Sequence, residues 1–164
     1  MRSPRIEPGP GQESVWDYPR PPRIEETTRL IRVSFAGQIV AETHRARRVL
    51  ETSHPPVYYI PPEDVRIHFL ERSLHSSFCE WKGKADYYTL AVEGHRSPDA
   101  AWSYPNPTPN FATIRGYFAF YPGRVDSCTV DSELVVVQKG DFYGGWITSK
   151  IVGPFKGGPG TAGW

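Results

Sequence analysis

The sequence predicts a mostly β domain with little helix, arranged as an antiparallel sandwich or a partly open barrel. Three observations carry that expectation. Aromatic residues make up 13% of the chain, and Tyr, Trp and Phe suit half-buried sheet. Seventeen prolines and 15 glycines punctuate it at short intervals, which favours strands joined by tight turns over long helices. In several stretches apolar residues recur at every second position, the period of a strand with one buried face. At 164 residues the chain has one domain's worth of sequence and can bury roughly two thirds of its unfolded surface.

Taken in order, residues 1–14 are expected to form a flexible arm, because Pro4, Pro8, Gly9, Pro10 and Gly11 leave little to bury. Trp16, Tyr18, Pro19, Pro21 and Pro22 then read as an aromatic anchor on an extended rod. From Arg29 the chain alternates, with Ile31, Val33 and Phe35 on one side and Leu30, Arg32 and Ser34 on the other. Ala36-Gly37 turns it into a return strand through Ile39, Val40 and Ala41. Arg45 to Leu50 reads as a third strand or a helical turn. Glu63-Asp64-Val65 is expected to make a short helical turn with its acidic residues at the positive end.

A second hairpin turns at Lys82-Gly83, with Tyr88, Leu90 and Val92 on one face of its return strand and Tyr87, Thr89 and Ala91 on the other. Apolar groups on both faces place that hairpin centrally. Glu93-Gly94 turns the chain again. Ala100 to Tyr104 forms a short strand stopped by Pro105, and Gly116 to Tyr121 an aromatic strand closed by a type II turn at Pro122-Gly123. Val125 to Val130, Leu134 to Val137 and Phe142 to Thr148 complete the strands. The domain is expected over 15–152 with its anchor wrapped on it, followed by a glycine-rich tail over 153–164.

Nineteen Lys and Arg against 18 Asp and Glu leave a formal charge of +1, so no global field draws nucleic acid or anionic membrane. No run approaches the length of a membrane span, and no apolar leader segment opens the chain. The expected location is the cytoplasm, with Cys79 and Cys128 reduced. Two cysteines are too few for a four-sulfur zinc site. No His has a carboxylate or Cys at ligand spacing, so neither metal nor cofactor is expected. The phosphate-cradling, dinucleotide, serine-elbow and zinc-protease motifs are absent.

The most site-like stretch is Glu51-Thr-Ser-His54-Pro55-Pro56-Val57-Tyr58-Tyr59-Ile60-Pro61-Pro62-Glu63-Asp64. Its prolines stiffen the backbone, and a carboxylate, an imidazole and two phenols stand between them. Glu51 and His54 are acid–base candidates, although an extended segment separates them unless the chain bends at Ser53. Cys79 stands beside Trp81 and Lys82, and a lysine can activate a thiol; a small buried hydrophobe is the alternative. Arg45, Arg47 and Arg48 either reach an anionic group or form a solvated face.

Four motifs carry a resemblance: the stretch Glu51 to Asp64, Cys79-Glu-Trp-Lys-Gly-Lys-Ala85, Asp99-Ala-Ala-Trp-Ser-Tyr-Pro105 and Tyr117-Phe-Ala-Phe-Tyr121. Together they closely resemble the bacterial domain-of-unknown-function family 427 over about residues 28–126. The flanks Glu13 to Arg23 and Asp141 to Gly157 look like those of longer members. The resemblance implies a β-tent, two small antiparallel sheets meeting at an angle, similar to methionine sulfoxide reductase B and the thalidomide-binding domain of cereblon. Those relatives hold a zinc on paired Cys-x-x-Cys knuckles that this chain lacks. Their ligands sit in the cleft between sheets, which by analogy of fold makes Trp81, Trp102 and Tyr104 candidate cleft residues. The family also carries a nucleotidyltransferase-like label, but the Gly-Ser and paired-Asp pattern of such enzymes is not visible here.

The expected function is binding of a small polar or cationic molecule in an aromatic-lined cleft. Tyr58, Tyr59, Trp102 and Tyr104 would form its floor, with Trp81 beside them and Glu51, His54 and Lys82 fixing orientation. The rival is an enzyme using Glu51 and His54 or the Cys79 thiol. A structural or protein-interaction module is the third reading, and a homodimer is one option for its assembly.

Overall fold

The computed structural model describes residues 5–138, 144–156 and 164. Among the described residues helix is confined to single 3-10 turns and one kinked 3-10 segment, Pro109–Ile114. The strands are β1 (Glu13–Ser14), β2 (Arg23–Glu26), β3 (Ile31–Phe35), β4 (Gln38–Thr43), β5 (Arg47–Leu50), β6 (Val57–Tyr59), β7 (Leu70–Cys79), β8 (Gly83–Val92), β9 (His95–Ser103), β10 (Phe118–Phe120), β11 (Ser127–Val130), β12 (Glu133–Leu134) and β13 (Ile151–Val152).

These strands form four sheets, in the orders β10-β9-β8-β7, β12-β11-β3-β4, β2-β5-β6 and β1-β13. The expected pair of sheets is therefore corrected, while the mostly β character stands. The prolines explain part of the difference. Pro55-Pro56 and Pro61-Pro62 leave β6 only three residues, so a small third sheet closes around it. That sheet abuts the edge of the first through Ile60 and Phe118, whose backbones exchange hydrogen bonds of 2.8 and 2.9 Å. The fourth sheet is a two-residue parallel contact between arm and tail, too short to leave a pattern in sequence.

Three two-residue hairpin loops set the register. Ala36-Gly37, Glu93-Gly94 and Asp131-Ser132 all have φ > 0 at both positions, as a type I′ turn requires, and that twist suits the strands they join. The turn at Pro122-Gly123 differs from expectation. Tyr121 accepts a hydrogen bond from the Arg124 amide at 3.0 Å, and Gly123 lacks the positive φ of a type II turn, so the chain makes a 3-10 turn. The second hairpin is central only through β8. Its partner β7 is an edge strand that is bulged between Arg72 and Ser76, and Leu74 and Phe78 are exposed on it. The strand expected over 142–148 falls partly outside the described residues, and its described part contributes Ile147, bridged to Val136.

Alternation sorts the side chains into separate cores. Ile31, Val33, Leu90, Phe118, Phe120, Cys128 and Val130 fill the largest. Tyr59, Trp102, Tyr104, Phe111, Ile114 and Tyr121 fill a second. Val15, Trp16, Tyr18, Leu50 and Ile151 form a third, where the arm meets the tail. Trp146 anchors the first: it is 1% exposed, its indole N–H donates to the Phe120 carbonyl at 3.1 Å, and its ring lies 5.0 Å from that of Tyr58. Replacing it with alanine removes a buried indole and orphans that carbonyl. Trp146→Ala is expected to cost about 3–5 kcal/mol, read as a lower urea midpoint at an unchanged slope.

Candidate functional site

The proline-framed stretch bends at Ser53, the one place where a bend lets Glu51 and His54 approach. After β5, the His54 amide donates to the Glu51 carbonyl at 3.0 Å and Ser53 sits at φ 70°. That left-handed conformation costs a non-glycine residue about 1–2 kcal/mol. It is held from both sides, because the Ser53 amide donates to the Val15 carbonyl at 3.0 Å and its own carbonyl accepts from the Lys156 amide at 2.7 Å. The bend brings Glu51 Oε2 to 3.7 Å from His54 Nδ1. The same nitrogen lies 2.8 Å from the Thr52 carbonyl. A carbonyl only accepts, so Nδ1 carries the proton in that contact. Glu51 also pairs with Arg20 at 3.3 Å. Burial lowers the His54 pKa and outweighs the raising influence of Glu51 and of the Thr52 carbonyl.

Period-two alternation sends the adjacent tyrosines to opposite faces. Tyr58 joins Trp146 in the first core, and Tyr59 joins Trp102 and Tyr104 in the second. Trp102 donates its indole N–H to the Tyr59 hydroxyl at 3.3 Å, and its ring lies 4.6 Å from Tyr121. Burial raises the pKa of Tyr59 and Tyr104 and keeps both phenols neutral. Lys82 Nζ stands 5.8 Å from the ring centres of Tyr104 and Phe111. Trp81 and Cys79 are half-buried against the same cluster. Both cysteines are free thiols, and burial raises the pKa of Cys128. The structure thus gathers Tyr59, Trp81, Lys82, Trp102, Tyr104 and Cys79 around one aromatic cluster. Glu51 and His54 have their partners in Arg20 and Thr52, and Tyr58 faces elsewhere. The backbone of Gly144 lies on the Trp102 ring so closely that a Cβ there would stand 2.2 Å from it.

A different concavity opens on the Tyr58 side. A cavity of about 250 Å³ lies between arm residues 11–13, β2, β5 and the 146–151 segment, with Tyr58 and Trp146 in its wall. Arg48 lines it at only 9% exposure. Its guanidinium donates to both oxygens of Glu13, at 3.0 and 3.1 Å, and through Nε to Glu25 at 3.1 Å. Tyr18 adds a hydroxyl donor to Glu13 at 2.8 Å. Burial opposes ionisation at both ends of this network. Even so, the bonds from Arg48 and Tyr18 hold the Glu13 carboxyl below its ordinary pKa, and the two carboxylates hold Arg48 above its own. Beside them, burial raises the Tyr58 pKa although Arg48 works against it.

Residues 23–131 match the family described as Domain of unknown function (DUF427). The chain belongs to this family. No curated protein matches it. In this DUF427 member the matched stretch supplies Glu25, Arg48 and Tyr58 to the cavity, whereas Glu13 and Trp146 come from the flanks on either side of it. Among the described residues no group of three or more His, Cys, Asp and Glu is placed to hold a metal ion.

In the sequence Arg48 stands out only as one of three arginines with Arg45 and Arg47, and Glu13, Glu25 and Trp146 carry no site-like motif. One signal was available. Arg23-Ile-Glu-Glu26 opposes Arg47-Arg-Val-Leu50 in antiparallel register, which sets Glu25 against Arg48 and Glu26 against Arg47, a charge-complementary pairing.

Two predictions follow from this geometry. The folded His54 has a pKa below its ordinary 6.5, so the unfolded chain takes up the proton first as pH falls. His54 therefore contributes stability that is complete above about pH 6.5 and declines on acidification through the folded value. His54→Gln is expected to flatten that acid limb in urea unfolding followed against pH. Gly144→Ala is expected to force Trp102 out of place and lower stability by about 1–3 kcal/mol, with altered near-ultraviolet circular dichroism.

Proposed function

We propose that this DUF427 protein binds a small polar molecule in the cavity walled by Tyr58, Trp146 and Arg48 and closed on one side by the arm. The observation that carries this reading is the charged network on the cavity wall. Taking the guanidinium of Arg48, whose side chain is 11% exposed, out of water costs several kcal/mol, and an apolar residue would fill such a space at lower cost. Here the charges are kept, hydrogen-bonded to one another, and presented to a concave space. Ligand pockets combine apolar walls with a few fixed polar groups and run from roughly 300 Å³ upward. The cavity here, about 250 Å³, lies just below that range and suits only a small molecule.

A second reading rests on the 3.7 Å approach of Glu51 and His54. An imidazole set beside a carboxylate is the pairing that acid–base chemistry uses. Two free thiols fit a reducing compartment, and the cytoplasm is the location proposed. Among the described residues no helix is long and apolar enough to cross a membrane.

The test is an amide and indole NMR titration of the full chain with a library of small polar metabolites. Hits are expected to shift the Trp146 indole and the Thr27 and Arg48 signals. Tyr58→Phe, which keeps the ring and removes the hydroxyl, is expected to weaken binding by about 0.5–1.5 kcal/mol. A library that leaves all three signals unmoved overturns the cavity reading. Shifts centred on His54 would favour the acid–base one.

A further inference from the structure

Among the described residues β7 is the one long strand edge left open. The outer edge of β10 is met by the hydrogen bonds between Phe118 and Ile60, and that of β4 by the Arg66 amide, which donates to the Val40 carbonyl at 2.8 Å. β1, β12 and β13 have two residues each, and the free edge of β2 carries Arg23, Glu25 and Glu26. β7 instead runs for ten residues with β8 as its one strand neighbour, and from Ser73 to Cys79 it holds no Lys, Arg, Asp or Glu. Short, charged or covered edges resist pairing with another chain, and a long uncharged one invites it. Phe78 on this edge is 78% exposed, and Leu74 is fully exposed.

The bulge between Arg72 and Ser76 would ordinarily blunt such an edge. Here its polar groups are turned back on the strand. The Arg72 guanidinium donates to the Ser73 and His75 carbonyls, and the His75 amide donates to the Ser73 hydroxyl oxygen at 3.1 Å, while Leu74 is pushed outward. The charges before the bulge are matched within the sheet, Glu71 by Arg96 at 2.8 Å and Arg72 by Asp86 at 2.7 Å. Glu80, exposed just past the strand, has no ion-pair partner among the described residues.

We infer that β7 pairs antiparallel with β7 of a second copy of this chain, about a two-fold axis through Ser76, and joins two four-stranded sheets into one. In an antiparallel pair, outward-pointing backbone groups must meet outward-pointing ones, so the axis passes through a residue and not between two. Centred on Ser76, the register sets Leu74 opposite Phe78 and Arg72 opposite Glu80, each twice by symmetry. Arg72 then keeps Asp86 and gains the second copy's Glu80. The neighbouring registers lack this complementarity. Centring on His75 sets Arg72 against Phe78, centring on Ser77 sets Leu74 against Glu80, and centring on Leu74 leaves Glu80 past the end of the opposite strand. Apolar and opposite-charge pairs across strands are what stabilise a sheet.

The test is analytical ultracentrifugation of the full chain over a concentration series, in which a monomer–dimer equilibrium is expected. Phe78→Glu sets a carboxylate against the second copy's Leu74 and is expected to raise the dimer dissociation constant about ten-fold or more. Because that side chain lies outside the core, the urea midpoint and near-ultraviolet circular dichroism are expected to stay at their wild-type values. Ser76→Cys reads the register. On the axis the introduced thiol meets its own copy, so a short bis-maleimide is expected to link Ser76→Cys chains into covalent dimers and to leave the wild-type chain single. A chain that stays monomeric at every concentration, a dimer that Phe78→Glu leaves unchanged, or a dimer that Ser76→Cys fails to link overturns the pairing.

Discussion

The guanidinium of Arg48 is the contact on which the arrangement of this chain turns. It leaves β5 toward the Tyr58 side of the three-stranded sheet and reaches Glu25 on β2 and Glu13 on β1. One cation thus ties the arm and an edge strand to the middle strand of a sheet. A lysine could not do this, because a point charge cannot present separate N–H groups in a fixed plane to two carboxylates. The chain's flanks depend on the contact as well. With Glu13 held, the Glu13 amide meets the Lys150 carbonyl at 2.8 Å, and the next residues lead Val15 and Trp16 into the third core.

Parts of this were legible in the sequence. The β3–β4 hairpin could be read because its alternation is clean and its two-residue loop is explicit, and Ile31 and Val33 are fully buried as the alternation required. β5 could be read as one of two options, and the strand formed. The four sheets could not. β2 is four residues long with two adjacent glutamates and no apolar alternation, so it is recognisable only beside the arginines opposite it. The site shows the same asymmetry. Tyr58 and Tyr59 look equivalent as neighbouring phenols, yet adjacent residues of a strand face opposite ways, and the two belong to different cores. Trp146 lies in the stretch Phe142 to Thr148 that reads as one more strand, and its burial rests on long-range contacts with Pro56, Phe120 and Tyr58 that no local pattern shows.

The bend at Ser53 shows how a local cost is offset by distant parts of the chain. A serine at φ 70° with a buried hydroxyl that has no hydrogen-bond partner among the described residues is unfavourable on both counts. The arm and the tail each hydrogen-bond to its backbone, so the conformation persists only where the two flanks close on it. Strain held by surrounding structure recurs at working sites, and here it aligns Glu51 with His54.

The parallel pairing of β1 with β13 sets how the chain would respond to mechanical load. The segment before β1 and the segment after β13 leave this pair from opposite ends. Tension drawn along those two directions would load the pair in shear, so its hydrogen bonds would share the force instead of opening one after another. The Arg48 network lies beside that seam and would resist the same displacement, which makes the junction of the two flanks a mechanical clamp over the cavity it encloses.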